Sequence, residues 1–181
     1  MFMRPRNVQG MFRTWLTMPV LMLSAIVLHA QVPEKANNMM FFGIVEDLRT
    51  GKALQNVCIR VYTDSVPGDS VFTDAAGKYQ TFQPLHGLQH LVYSVAGHHR
   101  KVVEVDLNGE METADRSREW NMRIDVSLVT AGAALADDLL DTPIGKAKWA
   151  PAMHEFQWDQ AYTERYMHRF KRALKVAGTG K

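Results

Sequence analysis

Short runs of alternating apolar and polar residues, separated by turn-forming residues, fill the chain between residues 40 and 129. Alternation predicts strands with one buried face, because successive side chains of a strand point to opposite sides. Seven runs have this character: residues 40–46, 55–63, 70–73, 78–82, 90–95, 101–107 and 122–129. Since no segment of helical period interrupts them, the pattern predicts an all-β fold, a seven-stranded antiparallel sandwich.

The pattern changes after residue 129. Residues 130–142 are small, apolar and acidic, which fits either a linker or a short helix. Residues 147–149 and 155–158 predict a β-hairpin around Pro151. Asp159 predicts a helix start, and residues 160–176 continue it with apolar residues at helical spacing. These apolar residues are Tyr162, Tyr166, Phe170, Ala173 and Leu174.

Residues 1–30 have the parts of a secretory signal peptide. Three arginines without an acidic residue precede an apolar run at residues 15–28, and Ala30 ends a plausible cleavage site. The run is short for a membrane span and contains Pro19, so we expect cleavage rather than an uncleaved anchor. The prediction is an exported protein, in the periplasm or associated with the outer membrane or cell surface, with residues 31–38 as a polar lead-in and no transmembrane span after cleavage.

Removal of this leader changes the charge of the chain. The full sequence carries a net charge of +2, whereas residues 31–181 hold 18 basic and 19 acidic residues. The basic character therefore belongs to the leader and gives no support for nucleic-acid binding. Within the remainder, residues 146–181 have a net charge of +5 and residues 31–145 a net charge of −6.

Candidate chemistry is sparse. Cys58 is the only cysteine, so no intramolecular disulfide forms, and its strand position predicts a packing role. No nucleophile elbow is present. Four histidines, His86, His90, His98 and His99, lie close together in sequence, but adjacent histidines on a strand point to opposite faces. We expect surface histidines, no metal site, no cofactor and no enzymatic activity.

Three aspartates, Asp64, Asp69 and Asp74, lie in turns between predicted strands. They present carboxylate oxygens, the ligands that calcium prefers, although no EF-hand spacing is present. Aspartate also stabilises turns by accepting hydrogen bonds from nearby backbone amides. We expect this second role.

Three stretches resemble the carboxypeptidase regulatory-like domain: residues 43–57 with a Thr-Gly turn, residues 73–79 with Thr-Asp-x-x-Gly-x-aromatic, and residues 91–98 ending in Gly-His. Ala53 and His98 depart from the family pattern, in which Pro and an aromatic residue are usual. The resemblance implies a transthyretin-like (prealbumin-type) sandwich over residues 39–129. It leaves residues 130–181 as a C-terminal extension with a hairpin and an amphipathic helix.

The resemblance implies no chemistry of its own. Similar domains accompany the catalytic domains of metallocarboxypeptidases and also occur in Bacteroidetes-type envelope proteins, including outer-membrane nutrient transporters. We therefore expect a non-catalytic binding or scaffolding module whose partner is an envelope protein or an outer-membrane transporter system. The alternatives are a glycan or peptide ligand bound in the envelope and, as a third class, a histidine-dependent metalloenzyme.

The C-terminal extension supplies the candidate interaction residues. Three aromatic residues form a predicted stacking platform for a glycan or peptide, and three arginines a predicted basic surface: Trp149, Trp158, Tyr162, Arg165, Arg169 and Arg172. The aromatic stripe of the helix is too apolar to remain exposed. We expect it to pack on the sandwich, with a free docking helix as the alternative.

Overall fold

The computed structural model describes residues 38–132 and 135–178. The predicted signal peptide, residues 1–30, and residues 31–37 of the predicted lead-in lie outside this range. None of the described helices has the length and apolarity needed to cross a lipid bilayer.

The strands and helices follow the predicted order. The strands are β1 Asn38–Asp47, β2 Cys58–Thr63, β3 Val66–Phe72, β4 Lys78–Pro84, β5 Leu88–Ser94, β6 Lys101–Asp106, β7 Trp120–Arg123, β8 Val126–Leu128, β9 Lys146–Ala150 and β10 Glu155–Trp158. The helices are α1 Thr113–Arg116, α2 Asp137–Asp141 and α3 Gln160–Val176. The predicted hairpin and C-terminal helix are confirmed. Residues 130–142, which fitted either a linker or a short helix, contain the short helix α2. The single turn of α1 lies between β6 and β7.

The strands form two sheets. The small sheet has the order β4-β1-β7, with β8 paired to the far end of β1, and the large sheet has the order β10-β9-β6-β5-β2-β3. The predicted antiparallel arrangement of the sandwich is wrong at two pairs, since β1 runs parallel to β7 and β8. Strand β9 of the C-terminal segment also runs parallel to its neighbour β6. Alternation reports which face of a strand is buried, not the direction of its neighbour.

The predicted strand at residues 122–129 is two strands. Between β7 and β8 the backbone does not pair regularly with β1. There the Ile44 amide of β1 donates its hydrogen bond to the Asp125 side chain, at 3.0 Å, instead of to a backbone carbonyl. The seven predicted strands of the sandwich are therefore eight, and both new strands pair with β1.

The inner faces of the two sheets enclose the main core. Its fully buried members include Phe41 and Val45 of β1, Ile59 of β2 and Tyr93 of β5. The Tyr79 and Tyr93 hydroxyls are 2.7 Å apart, and the Tyr79 hydroxyl also donates to the Ile124 carbonyl at 2.9 Å. Burial raises the pKa of both tyrosines, so they stay neutral and the pair acts as a structural contact.

The C-terminal segment packs on the sandwich, as expected. β9 extends the large sheet beside β6, and α3 covers a second apolar cluster with Tyr166, Phe170 and Leu174. The helix begins where predicted, because the Asp159 carboxylate accepts a hydrogen bond from the Tyr162 amide at 2.8 Å.

Candidate functional site

The predicted aromatic platform does not form. Trp149 is only 5% exposed, and its ring contacts those of Trp120 and Phe156 at centroid distances of 5.3 Å each. It belongs to the main core, because β9 joins the large sheet with this side chain on the inner face. Trp149 therefore cannot stack on a glycan, and the prediction of a stacking platform formed by Trp149, Trp158 and Tyr162 is wrong.

The other two aromatic residues are partly exposed. Trp158 is 37% exposed at the edge strand β10. The Tyr162 hydroxyl donates to the Pro143 carbonyl at 2.7 Å, and the Lys146 ammonium lies 5.1 Å from the centre of its ring. These contacts hold Tyr162 to the body of the protein.

The basic residues of α3 lie on the side of the helix away from the sandwich. Arg165, Arg169 and Arg172 are all exposed, and Arg169 pairs with Asp138 of α2 at 2.8 Å. They thus remain accessible to a partner. That they contact one stays a prediction.

Beneath α3 lies a buried cation that the sequence did not single out. Lys101 of β6 is 8% exposed, and its ammonium lies 4.5 Å from the centre of the Phe170 ring. Burial lowers the pKa of Lys101 to about 8. The attraction between the ammonium and the ring offsets part of the cost of burying this charge.

Two of the four clustered histidines, His90 and His98, pair with separate carboxylates. His98 Nε2 lies 3.1 Å from Asp47 Oδ2, and His90 Nε2 lies 3.3 Å from Glu104 Oε2. His98 is half-buried, so the expectation of a surface loop residue is wrong for it. Over residues 38–132 and 135–178, no group of three or more histidine, cysteine or acidic side chains is placed to hold a metal ion.

One of the three loop aspartates, Asp74, stabilises its own turn as expected, whereas Asp64 accepts a hydrogen bond from a segment distant in sequence. Asp74 Oδ1 accepts from the amides of Ala76 and Lys78 at 2.9 and 2.8 Å, and Asp64 Oδ1 accepts from the Leu88 amide at 2.8 Å. Gly77, which follows the Asp74 turn, has a φ of +71°, the left-handed conformation that the motif requires. Asp74 and Gly77 of this motif therefore stabilise the turn between β3 and β4, which is a folding role.

The surface that stands out is the outer face of the small sheet. Met40, Phe42 and Ile44 of the central strand β1 project from it and are partly exposed. Phe82 on β4 lies beside Met40 and is 60% exposed. Phe72, at the end of β3 in the large sheet, is 62% exposed and lines a groove together with Phe42 and Ile44. We call these five residues the outer apolar face.

A shallow groove of about 670 Å³ crosses this face. Phe42, Ile44 and Phe72 line it together with three charged side chains, those of Asp74, Lys78 and Arg123. Arg123 pairs with the exposed Asp125 at 2.9 Å, whereas no ion pair is formed by Lys78 within the described residues. The groove thus joins an apolar floor to a rim that carries two cationic groups and one anionic group.

The sequence contains a signal for this face that periodicity alone did not reveal. Residues 39–45 are apolar on both sides of the strand, interrupted only by Gly43. Continuous apolar runs are typical of strands covered on both faces. In the described structure, the large sheet covers one face of β1, and the other face is open.

Comparison with known proteins leaves the family open. No protein-family model and no curated protein matches the chain. The resemblance to the carboxypeptidase regulatory-like domain therefore stays a prediction.

Solved structures give only weak likenesses. A 3-chlorocatechol 1,2-dioxygenase from Rhodococcus opacus is 10% identical with a TM-score of 0.40, over 53% of this chain and 61% of that one. A streptococcal ancillary pilin is 13% identical with a TM-score of 0.36, over 53% and 33%. A Bacteroides fragilis protein of unknown function, proposed to be membrane-associated, is 21% identical with a TM-score of 0.36, over 54% and 30%. Likenesses of this size do not indicate what the chain binds.

Proposed function

We propose that this chain is a non-catalytic protein-binding module of the cell envelope and that its partner docks on the outer apolar face. The observation that carries the proposal is the central strand β1, which is apolar on both sides and covered on one. The envelope setting rests on the predicted signal peptide and on the resemblance described above.

The energetics favour a partner for this surface. Phe72 and Phe82 each leave more than half of their side-chain surface in water, next to the partly exposed Met40, Phe42 and Ile44. Removing apolar surface from water stabilises by about 25 cal/mol per Å². Contiguous apolar patches on otherwise polar proteins are typical of interaction sites. Covering this face with an apolar partner surface would therefore release free energy.

The chemistry of the groove suggests the kind of partner. Its floor is apolar, and Asp74, Lys78 and Arg123 border it. A protein segment that presents apolar side chains flanked by polar or charged groups is complementary to this arrangement. A glycan is less suited, since Trp149, one of the three residues of the predicted stacking platform, is buried.

A charge placed on the floor of the groove tests the proposal. We expect Phe42→Glu to reduce recovery of crosslinked envelope partners at least about tenfold, because the partner's apolar surface would then cover a carboxylate. Val66→Glu is the matched control, since Val66 is 66% exposed on β3 and does not line the groove. Near-ultraviolet circular dichroism should show both variants folded. Equal recovery with both variants would reject the outer apolar face as the docking surface.

A further inference from the structure

The edges of the two sheets differ in how they are protected against pairing with another chain. On the large sheet, β3 carries Pro67 and a register irregularity, and β10 has only four residues. On the small sheet, one side is divided between β7 and β8. The opposite side is β4, a regular strand of seven residues whose only charged residue is Lys78 at its start. Natural proteins block exposed edges with charges, prolines and bulges, and β4 has none of these between Tyr79 and Gln83.

The hydrogen bonds of β1 show which backbone groups of β4 are free. The Val45 amide donates to the Gly77 carbonyl at 2.8 Å, and Ile44 lies opposite Lys78. Antiparallel pairing alternates, so Tyr79, Thr81 and Gln83 bond to β1. The amides and carbonyls of the residues between them, Gln80 and Phe82, point away from the sheet.

The two ends of this free edge are already occupied. Lys78 donates its amide to the Asp74 carboxylate and accepts from the Asp74 amide, and the Pro84 carbonyl accepts from the His86 amide. Within the described residues, both backbone groups of Gln80 and of Phe82 lack a hydrogen-bond partner. The open part of the edge is thus centred on Thr81.

We propose that a second copy of this chain pairs with this edge, β4 against β4, in an antiparallel arrangement with its twofold axis at Thr81. In this register Gln80 of each copy lies opposite Phe82 of the other. Each such pair exchanges two backbone hydrogen bonds, so the free groups of both residues are satisfied in both copies. The two open residues flank the axis symmetrically, which makes the edge complementary to itself.

The side chains are compatible with this register. Gln80 and Phe82 lie on the outer side of the sheet, so the two exposed Phe82 rings become diagonal neighbours across the junction, within reach of each other. Lys78, the only charged residue of β4, lies three residues from the axis and opposite Pro84 of the second copy. No like charges face each other, and the most exposed ring of the strand gains an apolar neighbour.

Pairing in this way joins the two small sheets into one continuous sheet. The outer apolar faces of the two copies then lie side by side, and a partner meets a surface about twice as wide. The inference goes beyond the proposed function, because a monomer also presents the outer apolar face. Dimer formation and partner binding can therefore be tested separately, and the failure of one proposal does not imply the failure of the other.

Amide hydrogen exchange at increasing protein concentration tests the pairing directly. The protein is purified in the form that the expressing cell accumulates. Hydrogen exchange is measured at protein concentrations from about 1 µM to about 1 mM, and sedimentation velocity reports the mass of the particles. We expect dimers to appear and the Gln80 and Phe82 amides to exchange at least about tenfold more slowly as they form. The amides of Tyr79 and Thr81, already bonded to β1, should show no comparable dependence. A monomer throughout, or a dimer without protection of Gln80 and Phe82, would overturn the proposal.

A pair of substitutions at Gln80 provides a second test. Gln80→Pro removes an amide that faces away from β1, so it deletes an intermolecular bond from each copy and leaves the native ladder intact. Gln80→Thr keeps the amide and is the matched control. We expect the dissociation constant of the dimer to rise at least about tenfold for the proline variant only. If the two folded variants dimerise equally, β4 is not the interface.

Discussion

The Asp47 carboxylate connects the end of β1 to three neighbouring segments by hydrogen bonds. Its Oδ1 accepts from the amide and the hydroxyl of Thr50, each at 2.7 Å, and its Oδ2 lies 3.1 Å from His98 Nε2 and 3.4 Å from the Thr130 hydroxyl. The Thr50 hydroxyl is the main cause that lowers the pKa of Asp47 to about 2. The motif residue Asp47 thus links the Thr-Gly turn to the Gly-His segment.

Removal of this carboxylate should destabilise the protein in a pH-dependent way. We expect Asp47→Ala to lower the free energy of unfolding by about 2 kcal/mol at neutral pH, because several donors lose their acceptor. The folded pKa lies below the unfolded value of 3.8, so the contribution of Asp47 is complete above pH 3.8 and is lost as the pH falls through about 2. Urea titrations at several pH values measure it. Asp69→Ala, at an exposed site, removes the same charge, and an equal loss there would contradict the assignment.

The buried Lys101 should also make the free energy of unfolding rise with pH, in this case in the alkaline range. Burial lowers its pKa from 10.5 to about 8, so between these values the folded state holds fewer protons than the unfolded state. The contribution of Lys101 to the free energy of unfolding should therefore rise with pH across this window. We expect Lys101→Met to stabilise the protein at pH 7 by on the order of 1–3 kcal/mol, and to abolish this rise. Denaturant titrations between pH 7 and about 9.5 avoid the ionisation of tyrosine. An unchanged pH dependence in the variant would show that Lys101 is not its source.

At the scale of elements, α3 depends on one cap and one apolar side. The Asp159 carboxylate accepts from the Tyr162 amide at 2.8 Å, and Tyr166, Phe170 and Leu174 are buried. We expect Asp159→Ala to cost about 1 kcal/mol of stability and Asp159→Ser to cost little, because serine is also a good N-cap. Thermal denaturation followed by circular dichroism distinguishes the two. Equal losses in both variants would mean that the cap does not hold the helix.

The same helix shows what the sequence can and cannot reveal. Its bounds were predictable because a cap and a helical stripe are local patterns, and so was the turn at Asp74 with Gly77. The partners of β1 were not predictable, since β7 and β8 reach it from about 80 positions away and alternation does not encode strand direction. The open outer face had a local signal in residues 39–45, but only the sheet order shows that nothing described covers it.

At the scale of the whole molecule, the C-terminal segment completes the sandwich. Trp149 of β9 packs against Trp120 of β7, so one ring contact connects the large sheet with the small sheet. Tyr166 of α3 in turn donates to the Leu139 carbonyl of α2. A chain shortened after residue 129 would lack Trp149 and open the main core. Point substitutions are therefore the better way to ask what the tail binds.

This arrangement predicts that the sandwich and its C-terminal segment unfold together. We expect Trp149→Ala to lower the free energy of unfolding by about 3–5 kcal/mol, the usual cost of deleting a buried large aromatic side chain. Because Trp149 contacts β7 and β10 alike, hydrogen exchange should accelerate on β1 and β7 as well as on β9 and β10. Trp158→Ala is the control, since Trp158 is 37% exposed and its loss should cost less. If exchange accelerated only on β9, β10 and α3, the tail would be an independent unit. Coupled acceleration means that the outer apolar face depends on the C-terminal segment for its stability, although the two are far apart in sequence.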